Sequence, residues 1–183
     1  MPIIHEKYHL AARLIHWIMA AGFAFMWGCG YIMTTLVEDD SPLEEFLFDL
    51  HISVGVTLLA LFVLRIAVRL VITPPALPAS IRGMERTAAH LGHAALYALP
   101  ALVITAGWAE TNFGGHAVQW FGVDMPRVFP ETGEDLQDLS ENMHMWFAYT
   151  MLAVAVGHVA AAFKHRWVDG HDVIRRMAIG GGS

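Results

Sequence analysis

One cysteine, Cys29, stands in 183 residues. A lone thiol excludes an intrachain disulfide framework and any iron–sulfur cluster held by cysteines. Charge is scarce too: 15% of the residues are Asp, Glu, Lys or Arg, against about 25% in an ordinary soluble domain. No internal repeat divides the chain. With 56% hydrophobic residues and a mean hydropathy of +0.47, a soluble globular enzyme, a disordered tail protein and a nucleic-acid binder all fit poorly. No nucleic-acid partner is expected.

Four apolar stretches are there instead. A membrane helix needs about 20 mostly apolar residues. Leu14–Val37, Asp49–Ile72, Thr87–Ala109 and Asn142–Phe163 all qualify. The backbone must satisfy itself in lipid, so these are helices, expected at about 10–37, 46–72, 86–110 and 141–166. The first is too long for a secretory leader, contains His16 and has no small-x-small site at a sensible place. The expected architecture is all-α, an integral membrane four-helix bundle running up-down-up-down as a single domain over residues 1–183. The longest connection, 110–141, is of a length that is usually functional or mobile.

The charges are segregated. Ten cations (Lys7, Arg13, Arg65, Arg69, Arg82, Arg86, Lys164, Arg166, Arg175 and Arg176) flank one side, and only Arg127 lies on the other. Such a bias places both termini in the cytoplasm. Thirteen of the 17 acids fall at or in the two outer connections, so the outer face is acidic.

Ionisable residues inside a span are costly and point to function. Six histidines lie in or at the edge of the spans: His16, His51, His90, His93, His144 and His158. His144 and His158 are fourteen residues apart, which is about 21 Å of helical rise and within about 40° of one direction. They cannot share one ion, but they can serve two stacked cofactors, and neutral imidazole is a standard axial ligand for haem iron. By depth, His51 pairs with His144 on the outer side and His16 with His158 on the inner side. His93, also at inner depth, could replace His16 or His158. Otherwise His90 and His93 would contact quinone, carry protons or face headgroups. His5, His9 and His171 read as surface residues, and His116 receives no role. No Cys-x-x-Cys-His sequence occurs, so the haems would be non-covalent, b-type. Gly22, Gly28, Gly55 and Gly157 are small enough to admit a macrocycle or a neighbouring helix.

Four segments taken in order, Arg13-Leu14-Ile15-His16-Trp17, His51-Ile52-Ser53-Val54-Gly55, His90-Leu91-Gly92-His93 followed by Tyr97, and Gly157-His158 followed by His165, resemble the bacterial cytochrome b561 family of four-helix dihaem membrane proteins. The match covers nearly the whole chain. The resemblance implies haem ligands at His16, His51, His144 and His158, and placement in the bacterial inner membrane. It also implies electron exchange with a quinone, ubiquinone, near the inner haem. A histidine seven residues past the last ligand lies near the quinone in the family; here it is His165, beside Lys164. His93, His90 and Arg13 are further quinone candidates.

Some family members are superoxide oxidases with a positive outer surface. The acidic outer face here departs from that pattern and favours a cationic donor or acceptor, such as a small basic cytochrome. The leading expectation is therefore a two-haem electron carrier between an outer redox partner and the quinone pool. Superoxide:ubiquinone oxidoreduction and a haem-b anchor subunit of a larger dehydrogenase or hydrogenase are the alternatives. A haem-free transporter should carry acids inside the membrane, and only the edge residues Asp49 and Glu110 qualify.

Overall fold

The computed structural model describes residues 7–77, 81–170 and 172–180. His5 and His171 lie outside the described residues. Four long helices dominate: α1 (Leu10–Thr35), α2 (Pro42–Val71), α3 (Gly83–Phe113) and α4 (Glu134–Trp167). Each is long and apolar enough to cross a membrane.

Three helices, α2, α3 and α4, begin earlier than hydropathy indicates, and at α2 and α4 the reason is a polar first turn. At α2 the Ser41 side chain accepts from Glu44 N at 3.2 Å, and Pro42 occupies the first turn. Proline loses nothing there, since its missing N–H would have no helical partner. Glu44 and Glu45 add negative charge at the positive end of the helix dipole. At α4 the start is Glu134, ahead of the expected 141. Gly133 takes φ +95° at its cap, a conformation glycine adopts freely. Glu134 and Asp135 then open the helix. Apolar periodicity cannot see either extension.

The helices form two antiparallel pairs, α1 with α2 and α3 with α4, and α2 meets α3 along a shorter stretch. Ile15, Met19, Leu58 and Phe62 make the buried core between α1 and α2, with Tyr97 and Ala101 of α3 packed against it. Between α1 and α4 the meeting is made by rings. Trp27 lies 6.2 Å from Tyr149, and His16 lies 6.4 Å from His158.

The two chain ends and the α2–α3 connection gather at one end of the bundle. Tyr8 N donates to Arg176 O at 3.1 Å. Arg13 donates to Ala178 O at 2.7 Å, Trp17 Nε1 to Met177 O at 2.8 Å, and Arg176 to Ala76 O at 2.8 Å. A 3-10 turn, Ile174–Arg176, shapes the returning tail.

At the opposite end the long connection is organised. Gln119–Trp120 (β1) pairs antiparallel with Val123–Asp124 (β2). Phe121 and Gly122 between them both have positive φ, which matches the twist of a two-residue hairpin. The hairpin docks on α2: Trp120 Nε1 donates to Thr57 Oγ1 at 3.1 Å, and Phe121 N to Ser53 Oγ at 2.9 Å. Asn112, fully buried, holds the rest. Its side chain donates to His116 O and accepts from Val128 N and Phe129 N.

Candidate functional site

Four of the sequence-selected histidines meet in two pairs. His51 of α2 faces His144 of α4, ring centres 6.0 Å apart and planes at 70°. His16 of α1 faces His158 of α4 at 6.4 Å and 72°. Both pairs have one construction, at the two ends of α4. His93 of α3 also reaches His158, at 5.5 Å and 65°, so three imidazoles converge at the end where the chain termini lie.

The hydrogen bonding of these rings is unusual for polar groups within membrane spans. Among the described residues, none of His16, His51, His93 and His158 has a side-chain hydrogen bond to the protein. The Nδ1 of His51 is buried without a partner. Buried polar atoms nearly always find partners, so rings that lack them and face each other invite a further binding group. His144 is the exception. Its Nδ1–H donates to the carbonyl oxygen of Val103 at 2.9 Å, which leaves Nε2 as the nitrogen with a free lone pair.

Two glycines that sequence reasoning did not single out bring these rings in. A Cβ on Gly107 would stand 2.9 Å from His144 Nδ1, and one on Gly30 3.5 Å from His51 Cε1. Of the glycines selected from sequence, Gly22 abuts Leu58 and Gly55 approaches Met26, both helix contacts. Gly28 and Gly157 have nothing within 4 Å of where a Cβ would lie. Spacing to a histidine on another helix is the signal that would have found Gly30 and Gly107, and a single sequence does not carry it.

The other candidates fall in three places at the end that gathers the termini. Lys164 bridges Glu85 at 2.5 Å and Asp169 at 2.9 Å. His165 pairs with Asp169 through Nδ1 at 2.7 Å. Hydrogen bonds from Lys164, then from His165, hold the Asp169 carboxyl below its ordinary value of 3.8. Arg13 is committed to Ala178 O. His90 and His93 line a cavity between α2 and α3. His9 is exposed and caps α1, accepting from Ala11 N at 3.3 Å. His116 contributes only its backbone oxygen, to Asn112. Arg127, in the connection between α3 and α4, donates to Gly115 O.

Four membrane-length helices carrying facing histidine pairs define a class, the histidine-rich four-helix membrane bundle. A family profile described as prokaryotic cytochrome b561 matches residues 7–180, and the chain belongs to that family. It is 30% identical to cytochrome b561 homolog 2 of Escherichia coli (strain K12) over 173 residues, covering 94% of this chain and 91% of the relative. It is 27% identical to the probable superoxide oxidase CybB of Yersinia pestis over 175 residues, covering 95% of this chain and 97% of that one. The protein is thus a membrane electron-transfer protein of the cytochrome b561 family, and b-type haem is the cofactor that the family implies.

Proposed function

We propose that the chain holds two b haems, one between His51 and His144 and one between His16 and His158. In this reading it passes electrons between an outer redox partner and a quinone on the cytoplasmic side of a bacterial inner membrane. The observation that carries it is the pair of facing imidazoles, at 6.0 and 6.4 Å, almost bare of protein hydrogen bonds. Two ring nitrogens, each about 2 Å from a shared metal, put their ring centres roughly 6 Å apart. The tautomer at His144 suits ligation through Nε2, with the Val103 carbonyl fixing the ring as an outer-shell partner does. His16 is preferred over His93 as the resemblance implies; both rings stand near His158, at 6.4 and 5.5 Å.

When bound, haem supplies one-electron chemistry; the protein supplies ligation, spacing and a low-dielectric sheath. Ten cations against one support the cytoplasmic placement of both termini. At the opposite end Asp40, Glu44, Glu45 and Asp49 line a cavity of about 400 Å³ at the start of α2, within a few turns of His51. That position suits a cationic redox protein docking beside the outer pair. Quinone meets the chain at the inner end, where His165, Lys164, His93, His90 and Arg13 gather. Superoxide as the outer donor is the second reading, favoured by the name of the Yersinia pestis relative, with the acidic outer face against it.

The test is a reduced-minus-oxidised spectrum with a haem-to-protein ratio, on the detergent-purified protein and two variants. Wild type gives b-type bands and two haems per chain, His16→Leu loses one, and His93→Leu keeps both. No haem in the wild type, or one, overturns the pairing. Loss in His93→Leu with retention in His16→Leu transfers the inner ligand to His93.

A further inference from the structure

Arg65 lies within the apolar length of α2, six residues short of its end at Val71, and is half-buried. A guanidinium stays charged at any working pH, and a charge inside a span is costly. Among the described residues Arg65 makes no ion pair or hydrogen bond. Its guanidinium lies over the ring of Tyr97 on α3, 5.7 Å from the centroid. The side chain thus turns across the bundle toward α3, where a long cation near a helix end would ordinarily reach along its own helix to water.

Spacing fixes where that charge stands. Arg65 follows His51 by fourteen residues, the same interval that separates His144 from His158 on α4. Fourteen residues are about 21 Å of rise and return within about 40° of one direction. Since His51 faces His144, α2 carries a histidine at the level of His144 and a cation at the level of His158, toward the same side. The ring contacts agree. Tyr97, under Arg65, lies one turn past His93, and His93 is 5.5 Å from His158. The Arg65 charge acts on all three rings at this level, His16, His93 and His158.

The His51–His144 pair has no such neighbour. From residue 14 to 64, and again from 87 to 163, the single Arg or Lys is Arg127, whose side chain donates to Gly115 O. Acids stand there instead. Asp49 is two residues before His51, and Glu110 is one turn past Gly107, which abuts His144.

Reducing a haem iron from ferric to ferrous takes up one electron and makes the site more negative by one unit. A fixed positive charge beside the site favours the reduced form, and a negative one opposes it. A unit charge acting across about 10 Å, the width of a helix, at an effective dielectric of about 20 shifts such an equilibrium about tenfold. We infer that Arg65 sets the reduction potential of the haem held at His158 above that of the haem held at His51 and His144. The inference rests on the two-haem reading above and adds a direction to it. One electron given up at the His51–His144 site and taken up at the His158 site runs downhill. Arg65 acts through its charge and is no ligand.

The experiment is a potentiometric titration of the haem-loaded protein in detergent, with dithionite and ferricyanide, followed in the haem absorbance bands. Wild type gives two one-electron waves, and the one absent from His158→Leu is the higher. In Arg65→Gln the higher wave falls about tenfold in its reduction equilibrium, about 59 mV for one electron, while the lower wave moves far less. Arg65→Lys keeps the charge and restores most of the fall. The haem ratio and band positions in both variants stay those of the wild type. A wave absent from His158→Leu that is the lower of the two overturns the inference, even where Arg65→Gln sheds that haem. So does a higher wave that Arg65→Gln leaves in place. So does one that Arg65→Lys lowers as far as Arg65→Gln does, since packing and not charge would then set it. One wave, or no haem, in the wild type removes the two-haem reading itself, a separate result from two waves in the opposite order.

Discussion

His144 and Val103 are joined by a hydrogen bond from the imidazole Nδ1–H to the backbone carbonyl, 2.9 Å long and made between α4 and α3. The bond exists because residue 107, one turn further along α3, has no side chain. A Cβ there would stand 2.9 Å from the same nitrogen and 3.1 Å from Cε1. Overfilling a packed site costs about 1–3 kcal/mol, and the ring cannot yield without giving up Val103. Gly107→Ala should weaken retention of the haem proposed at His51 and His144 by roughly ten- to a hundredfold. The haem ratio then falls from two toward one on dilution in detergent. Gly92→Ala, on the same helix with nothing within 4 Å of the added Cβ, should leave the ratio at two. Equal ratios in both variants would mean that the ring of His144 is not held as described.

Asn112 is the hinge pin of the connection between α3 and α4. It is fully buried, donates to His116 O, and accepts from Val128 N at 2.9 Å and Phe129 N at 3.2 Å. Asn112→Leu keeps the volume and strands all three backbone groups. A buried group left without its partner costs about 1–3 kcal/mol. The variant should therefore unfold several degrees lower in a thermal scan. Amide exchange should rise first at residues 116–129. Unaltered exchange there would show that the connection is held by something other than this side chain.

What the sequence disclosed and what it withheld follow from the range of each interaction. Helix number depends on local hydropathy, and the fourteen-residue separation of His144 and His158 along one helix on the fixed rise of that helix, both of which are carried by the chain itself. The polar first turns of α2 and α4 were missed because hydropathy reports the lipid-facing length and is silent on capped turns such as Ser41-Pro42. Gly107 and Gly30 escaped notice because their purpose lies on another helix. The 114–133 connection read as a long loop for the same reason. Its order comes from Asn112, Ser53 and Thr57, residues inside helices whose polar groups give no local signal. The choice between His16 and His93 as partner of His158 is open from depth alone, and the placement of α1, α3 and α4 brings both rings to His158, at 6.4 and 5.5 Å.

The ion-pair cluster of Lys164, Glu85, His165 and Asp169 carries its own pH dependence. Asp169 is held below its ordinary value of 3.8, first by the hydrogen bond from Lys164 and then by that from His165. A carboxylate depressed in the folded state contributes stability that is fully present above its unfolded value. That contribution is lost as the pH falls through the lower folded value. The link from the tail after α4 to the start of α3, through Lys164 and Glu85, should thus be intact at pH 5 and above and weaken below about pH 4. Amide exchange of residues 164–169 measured across that interval should accelerate in the wild type. In Asp169→Asn exchange should be fast throughout, with no acid transition in that interval. The effect is small, because exposed ion pairs contribute little. An acid transition that persists in Asp169→Asn assigns it to another group.

The acids at the start of α2 should act on rate. Asp40, Glu44, Glu45 and Asp49 stand together at the start of α2, and Glu44 is additionally fixed by accepting from Asp40 N at 2.6 Å. Clustered charge of one sign speeds encounter with an oppositely charged partner, by factors from about ten upward at low salt. Exposed charges beyond about 10 Å are screened at 0.1 M salt. A small basic cytochrome offered as outer electron donor should therefore reduce the wild-type haems faster at low ionic strength, and the advantage should shrink as salt is added. Glu45→Gln/Asp49→Asn should lower the low-salt rate several-fold and flatten the salt dependence while the haem spectrum stays unchanged. Superoxide, being an anion, should respond in the opposite sense, reacting faster with the neutralised variant. The two donors compared on one pair of proteins therefore decide which of the two outer readings the acidic face serves.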